Sequence, residues 1–211
     1  MIVFAPDYDD QTRACAVVAI HIAKHTNSHL LHGDDARRGQ LLDTLKNTAL
    51  ASCMFFAHGD HEGIYGTGDV RALTKSDLAH LPKLPMFAYA CHSANFFQEA
   101  ADRGRISWGY DKAMVPPPYF AVRRDDVESV FRLIAHHFDK CVSTTDIHRV
   151  IEEIQQACDK SLNRYIKNGT STVAGMVFFS QLWTRLRVWT PWESQPVKHA
   201  ASWNSDLDDL F

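Results

Sequence analysis

Two short apolar runs constrain this chain most. Cys53-Met54-Phe55-Phe56-Ala57 stops at His58-Gly59, and Pro85-Met86-Phe87-Ala88-Tyr89-Ala90 stops at Cys91. Runs this short and this uniformly apolar read as buried strands. In an open parallel sheet the carboxyl ends of the strands line one edge, and sites form along that edge. If the two runs are neighbouring parallel strands, an imidazole and a thiol stand side by side in a crevice. That pair is the minimum equipment for cysteine nucleophilic catalysis.

The rest of the first half fits such a sheet. Met1 to Ala5 reads as a strand, followed by the acidic loop Pro6-Asp7-Tyr8-Asp9-Asp10. Gln11 to His25 then reads as a helix with Ala14, Val17, Val18 and Ile22 on one side. His29 to His32 suits a second strand, and Asp34-Asp35 suits the start of a helix that turns Leu41, Leu42 and Leu45 inward. Gly63, Gly66 and Gly68 make residues 60–73 a turn-rich loop or small hairpin. Thr74 with Asp77 is a capping pair for a short helix. Ser93 to Arg103 is expected to be helical, and Arg105 to Gly109 another strand.

Strands alternating with helices point to a mainly parallel sheet of about five or six strands, covered on both faces. After Pro116-Pro117-Pro118 the pattern turns helical. Asp125 to Phe138 forms one helix. A second starts from the cap Ser143-Thr144-Thr145-Asp146, runs through Ile147, Val150, Ile151, Ile154, Cys158 and Leu162, and stops at Asn168-Gly169. Residues 1–190 are therefore expected to form one α/β domain with a helical C-terminal part, and residues 191–211 an irregular acidic tail.

Composition narrows the function classes. A formal net charge of −3 argues against a nucleic-acid binder that works through a basic surface. No apolar stretch approaches the roughly 20 residues needed to cross a bilayer, so no membrane partner is expected. The opening residues show no charged leader with a long apolar core. The five cysteines, Cys15, Cys53, Cys91, Cys141 and Cys158, include no CxxC pair. Free thiols in a reducing cytoplasm are the resulting expectation.

A thiol attacks a carbonyl as its thiolate, and a neighbouring imidazole can take its proton. Cys91 stands just before a helix start, which favours negative charge there. Gly59 leaves bare backbone beside His58, so its N–H and that of Cys91 can receive a developing oxyanion.

The paired signatures Phe56-Ala57-His58-Gly59 and Ala88-Tyr89-Ala90-Cys91-His92-Ser93 resemble the caspase-like cysteine peptidases of clan CD, in particular the bacterial CHAT group. The resemblance covers roughly Met1 to Asp111. It implies a three-layer caspase-like fold and a bacterial enzyme that cleaves peptide bonds of protein or peptide substrates. It assigns His58 as base, Cys91 as nucleophile, and the Gly59 and Cys91 N–H groups as oxyanion hole. It implies neither metal nor organic cofactor, and allows for a regulatory protein partner. It also points to an acid near the end of the next strand that binds a basic side chain. Asp111 is the candidate, with Asp7, Asp9 and Asp10 after the first strand as others, so cleavage after Arg or Lys is expected. For most of those three the simpler reading is turn or helix-cap chemistry.

Two alternatives remain open. His58-Gly59-Asp60-His61 is similar to part of the metallo-β-lactamase signature HxHxDH, which would make a zinc hydrolase, although Phe56 occupies the first histidine position. A non-catalytic, peptidase-like binding module is the other.

Overall fold

In the computed structural model, which describes residues 1–47, 51–101, 104–170 and 172–203, both apolar runs are strands. The order is β1 (Ile2–Ala5), α1 (Asp10–Thr26), β2 (His29–His32), α2 (Arg38–Asn47) and β3 (Cys53–Phe56). A small hairpin sheet follows, β4 (Gly59–Asp60), β5 (Gly63–Gly66) and β6 (Val70–Thr74), then α3 (Lys75–Leu78). The chain continues through β7 (Met86–Tyr89), α4 (Ser93–Ala101), β8 (Ser107–Tyr110), α5 (Arg124–His137), α6 (Thr144–Lys167), α7 (Val173–Thr184) and β9 (Leu186–Trp189).

The main sheet has six strands in the order β2-β1-β3-β7-β8-β9. All neighbours are parallel except β8 and β9, which are antiparallel. Side chains alternate between the two faces, as the pleat requires. Val3, Met54, Phe56, Phe87 and Tyr89 share one core with α1, α5, α6 and α7. Ile2, Phe4, Cys53, Phe55, Met86 and Ala88 share the other with the hairpin, α2, α3 and α4. Because both faces are covered, β1, β3 and β7 carry no polar positions at all, which is why they read as continuous apolar runs.

The strand order contains a switch point. From β1 the chain winds outward to β2 on one side; it then returns to β3 on the other side of β1 and continues to β7 and β8. The segment leaving β1 packs on the α1 face, whereas the hairpin leaving β3 packs on the opposite face. A crevice opens where these exits diverge, beyond the carboxyl ends of β1 and β3.

Local chemistry sets the ends of the elements around that crevice. Asp9 caps α1: its Oδ1 accepts from the Thr12 N–H at 2.7 Å, and Thr12 Oγ1 accepts from the Asp9 N–H at 3.1 Å. The turn from β7 into α4 is held by buried Ser93. Its hydroxyl donates to Ala90 O at 2.8 Å and accepts from the Tyr110 N–H of β8 at 3.0 Å. Gly109 lets α4 press against β8, since a Cβ there would lie 2.6 Å from Ala94 N.

Two features differ from the sequence expectation. Residues 33–35 form a separate 3₁₀ turn, and α2 begins only at Arg38. Strand β9 closes the sheet antiparallel to β8 within a stretch expected to be helical. Within the tail, Val197 bridges back to Val188 and residues 200–203 form a 3₁₀ turn, while its acidic end lies outside the described residues.

Gly109→Ala is expected to destabilise the fold by about 1–3 kcal/mol through overpacking against backbone. Chemical denaturation measures this; an unchanged midpoint would contradict the close approach of α4 to β8.

Candidate active site

In the pairing of β3 with β7, Phe55 lies opposite Ala88 and Phe56 opposite Tyr89, and the Ala57 N–H still donates to Tyr89 O at 3.3 Å. Two residues beyond the Phe56–Tyr89 pair, His58 and Cys91 leave the two strands level with each other. Both line a small cleft with Gln11, Thr12 and Cys15 of α1 and with Met114 and Pro116 of the loop after β8. The structure thus brings the two expected residues to one crevice.

It also adds a third. Asp9 Oδ2 lies 2.7 Å from His58 Nε2. A carboxylate oxygen only accepts, so Nε2 carries the proton and Nδ1 is the basic nitrogen of the neutral ring. Burial tends to raise the Asp9 carboxyl, but hydrogen bonds from the Thr12 N–H, His58 and the Thr12 hydroxyl outweigh it and hold the group below the usual carboxylate range. The carboxylate therefore stays charged beside the imidazole while capping α1. Among the described residues no hydrogen bond joins His58 to Cys91; thiol and base meet at the cleft without a direct bond between them.

Cys91 is the one cysteine of the five that is not buried. Burial pushes the Cys15, Cys53 and Cys158 thiols up, and that of Cys141 to about 11, which makes them packing residues. Cys91 Sγ instead accepts a hydrogen bond from the Met114 N–H at 3.2 Å. The turn that presents it is tight. His92 has φ 54, in the left-handed region, and is clamped by its N–H to Lys112 O at 3.2 Å and by Nδ1–H to Asp111 O at 3.2 Å.

Among the described residues, neither expected oxyanion donor is engaged elsewhere. Tyr65 N–H donates to His58 O at 3.0 Å, so Gly59 and Ile64 form a non-hydrogen-bonded pair and the Gly59 N–H faces away from β5. The Cys91 N–H has no acceptor among the described residues. A Cβ on Gly59 would lie 2.9 Å from Cys91 O, so only glycine lets these two segments touch.

The expected acidic pocket is not assembled. Asp111 does lie at the end of β8, but its carboxylate pairs with Arg187 of β9 at 2.6 Å. Asp7 faces His32 at 3.4 Å and Arg13 at 3.7 Å, and Asp10 pairs with Arg13 at 2.8 Å. These acids are committed to neighbours within the fold, as turn and helix-start chemistry would have them.

The zinc ligand set is not assembled either. Asp60 turns into the hairpin, accepting from the Glu62 N–H at 2.8 Å, the Gly63 N–H at 2.9 Å, the Tyr65 hydroxyl at 2.7 Å and Arg71 at 2.8 Å. Burial opposes ionisation there, but the Tyr65 and Arg71 bonds prevail and hold the carboxyl at about 2. His61 packs on His92 at 4.6 Å between ring centroids, and its Nδ1 accepts from Asn95. Among the described residues no three His, Cys, Asp or Glu side chains are grouped to hold a metal ion. Likewise, no helix among them is long and apolar enough to cross a membrane. A scan against known protein-family models gives no match, and a search of the curated proteins finds no significant one.

Asp60 makes a pH-dependent contribution. Its folded carboxyl lies below the ordinary 3.8, so the stabilisation is present above about pH 4 and is lost as pH falls towards 2. Asp60→Asn is expected to melt earlier than the wild type at about pH 7, and the gap should shrink at about pH 2.5. A gap independent of pH would contradict the assignment.

Proposed function

We propose that the chain is a cysteine endopeptidase of the caspase-like kind, acting on protein or peptide substrates. The observation that carries this reading is the register of β3 on β7, which brings His58 level with Cys91 while Asp9, arriving from β1, holds the imidazole by Nε2. A non-catalytic module has no need for a base oriented by a carboxylate beside the only cysteine that is not buried.

In this mechanism His58 Nδ1 takes the Cys91 proton, and the thiolate adds to the scissile carbonyl. The Met114 N–H offsets negative charge on sulfur before attack. The oxyanion of the tetrahedral intermediate is received by the Gly59 and Cys91 N–H groups. Collapse breaks the C–N bond, the leaving amine takes the proton from His58, and a thioester remains on Cys91. Water, deprotonated by the same imidazole, hydrolyses the thioester and restores the thiol. Asp9 touches no reacting atom; it fixes which nitrogen is basic and stabilises the imidazolium, the role a buried carboxylate plays in a serine-type triad.

The test is cleavage of a proteome-derived peptide library. Cys91→Ala and His58→Ala are expected to abolish turnover. Asp9→Asn keeps a competent helix cap and is expected to lower kcat by about 10²–10⁴ with little loss of stability. Equal cleavage by the wild type and both alanine variants would end this reading.

A further inference from the structure

No Asp, Glu, Lys or Arg side chain lines the cleft beside Cys91. Its lining includes Gln11, Thr12 and Cys15 of α1, Tyr89 of β7, and Met114 and Pro116 of the loop after β8. The space it encloses is about 20 Å³, room for little more than one water molecule.

The wall formed by Met114 and Pro116 is anchored. Between them, the Val115 N–H donates to Gln181 Oε1 at 2.9 Å, and Val115 O accepts from Gln181 Nε2 at 2.7 Å and from the Tyr89 hydroxyl at 2.5 Å. Gln181 is buried at 1% exposure, so the loop is tied to the core on both its donor and its acceptor. The narrowness of the cleft is thus built in by α7 and β7. On the far side Thr12 is committed to the α1 cap with Asp9, whose two carboxylate oxygens are taken by Thr12 and His58.

Geometry decides which part of a substrate enters. When Sγ is bonded to the attacked carbonyl carbon, the side chain of that residue begins three bonds from sulfur. Of the substrate side chains it is the nearest to sulfur along the bonds, and the cleft is bordered by that sulfur. We infer that the residue donating the scissile carbonyl is small and uncharged, alanine or serine in kind, an inference that rests on the thiol reading above. A charged side chain would lose its water in this cleft, and the acids at the strand ends are engaged, Asp9 with Thr12 and His58, and Asp111 and Asp7 with Arg187, Arg13 and His32. A large side chain would have to displace a wall held by a buried glutamine.

Four peptide acyloxymethyl ketones that differ only in the residue next to the ketone, alanine, leucine, arginine or aspartate, test this on the full chain. The Cys91 thiolate displaces the carboxylate from the ketone methylene; an S–C bond forms, and the C–O bond breaks with its electron pair leaving on the carboxylate. Mass spectrometry reads the label on Cys91. The alanine probe is expected to label at least about tenfold faster than either charged probe. Met114→Ala, which keeps the backbone N–H, is expected to bring a leucine probe up by about tenfold relative to alanine. Gln11→Asp, at an exposed position of the first turn of α1, is expected to bring up the arginine probe.

Faster labelling by the arginine or aspartate probe in the wild type would overturn the inference and leave the thiol chemistry standing. So would failure of every probe while iodoacetamide still modifies Cys91 faster in the wild type than in His58→Ala. Failure of every probe with no such difference would remove the thiol reading itself, and the pocket with it.

Discussion

The in-register parallel pairing of β3 with β7 is the constraint on which the rest depends. A ladder of main-chain hydrogen bonds sets two strands level, and the residues that follow them inherit that level. His58 and Cys91 meet because Phe56 lies opposite Tyr89. A slip of one residue would turn the Phe56 and Tyr89 rings out of the core they share with Phe131 and would part the imidazole from the thiol in the same movement. Core packing and site geometry are therefore one constraint.

Asp9 shows the same economy. One carboxylate oxygen closes the N-terminus of α1, and the other holds Nε2–H of His58 and so fixes the tautomer that leaves Nδ1 basic. The group can do both because the sheet changes direction between β1 and β3, which leaves the exits of these neighbouring strands facing one crevice. Beyond Cys91, the buried Ser93 hydroxyl and the absence of a side chain at Gly109 do the equivalent work, tying the α4 start to β8.

Much of this was legible in the sequence for simple physical reasons. Strands covered on both faces have no polar positions, so β3 and β7 announce themselves and their ends expose His58 and Cys91. The Ser143 cap and the apolar stripe from Ile147 to Cys158 locate α6 equally well. The unread parts share a cause. Strand β9 follows α7 with no glycine or proline between them, so nothing in the sequence marks where the helix stops. With β9 unseen, Arg187 had no position, and Asp111 looked like an unpaired acid at a strand end. In the fold, Arg187 sits opposite Gly109 in the antiparallel ladder and takes the Asp111 carboxylate. The cap role of Asp9 could be read from its neighbours; its bond to His58 could not, because that requires knowing that β1 lies beside β3. The hairpin chemistry of Asp60 was hidden in the same way, since Tyr65 and Arg71 reach it only once β5 and β6 fold back.

The most direct test of the account is the rate at which iodoacetamide modifies each cysteine of the folded protein at neutral pH, read by mass spectrometry in the wild type and in His58→Ala. The expected result is rapid modification confined to Cys91, slowed at least tenfold when the imidazole is removed, with Cys15, Cys53, Cys141 and Cys158 protected until the protein unfolds. Modification of Cys91 at the same rate in both proteins would contradict the pairing of thiol and base on which the proposed chemistry rests.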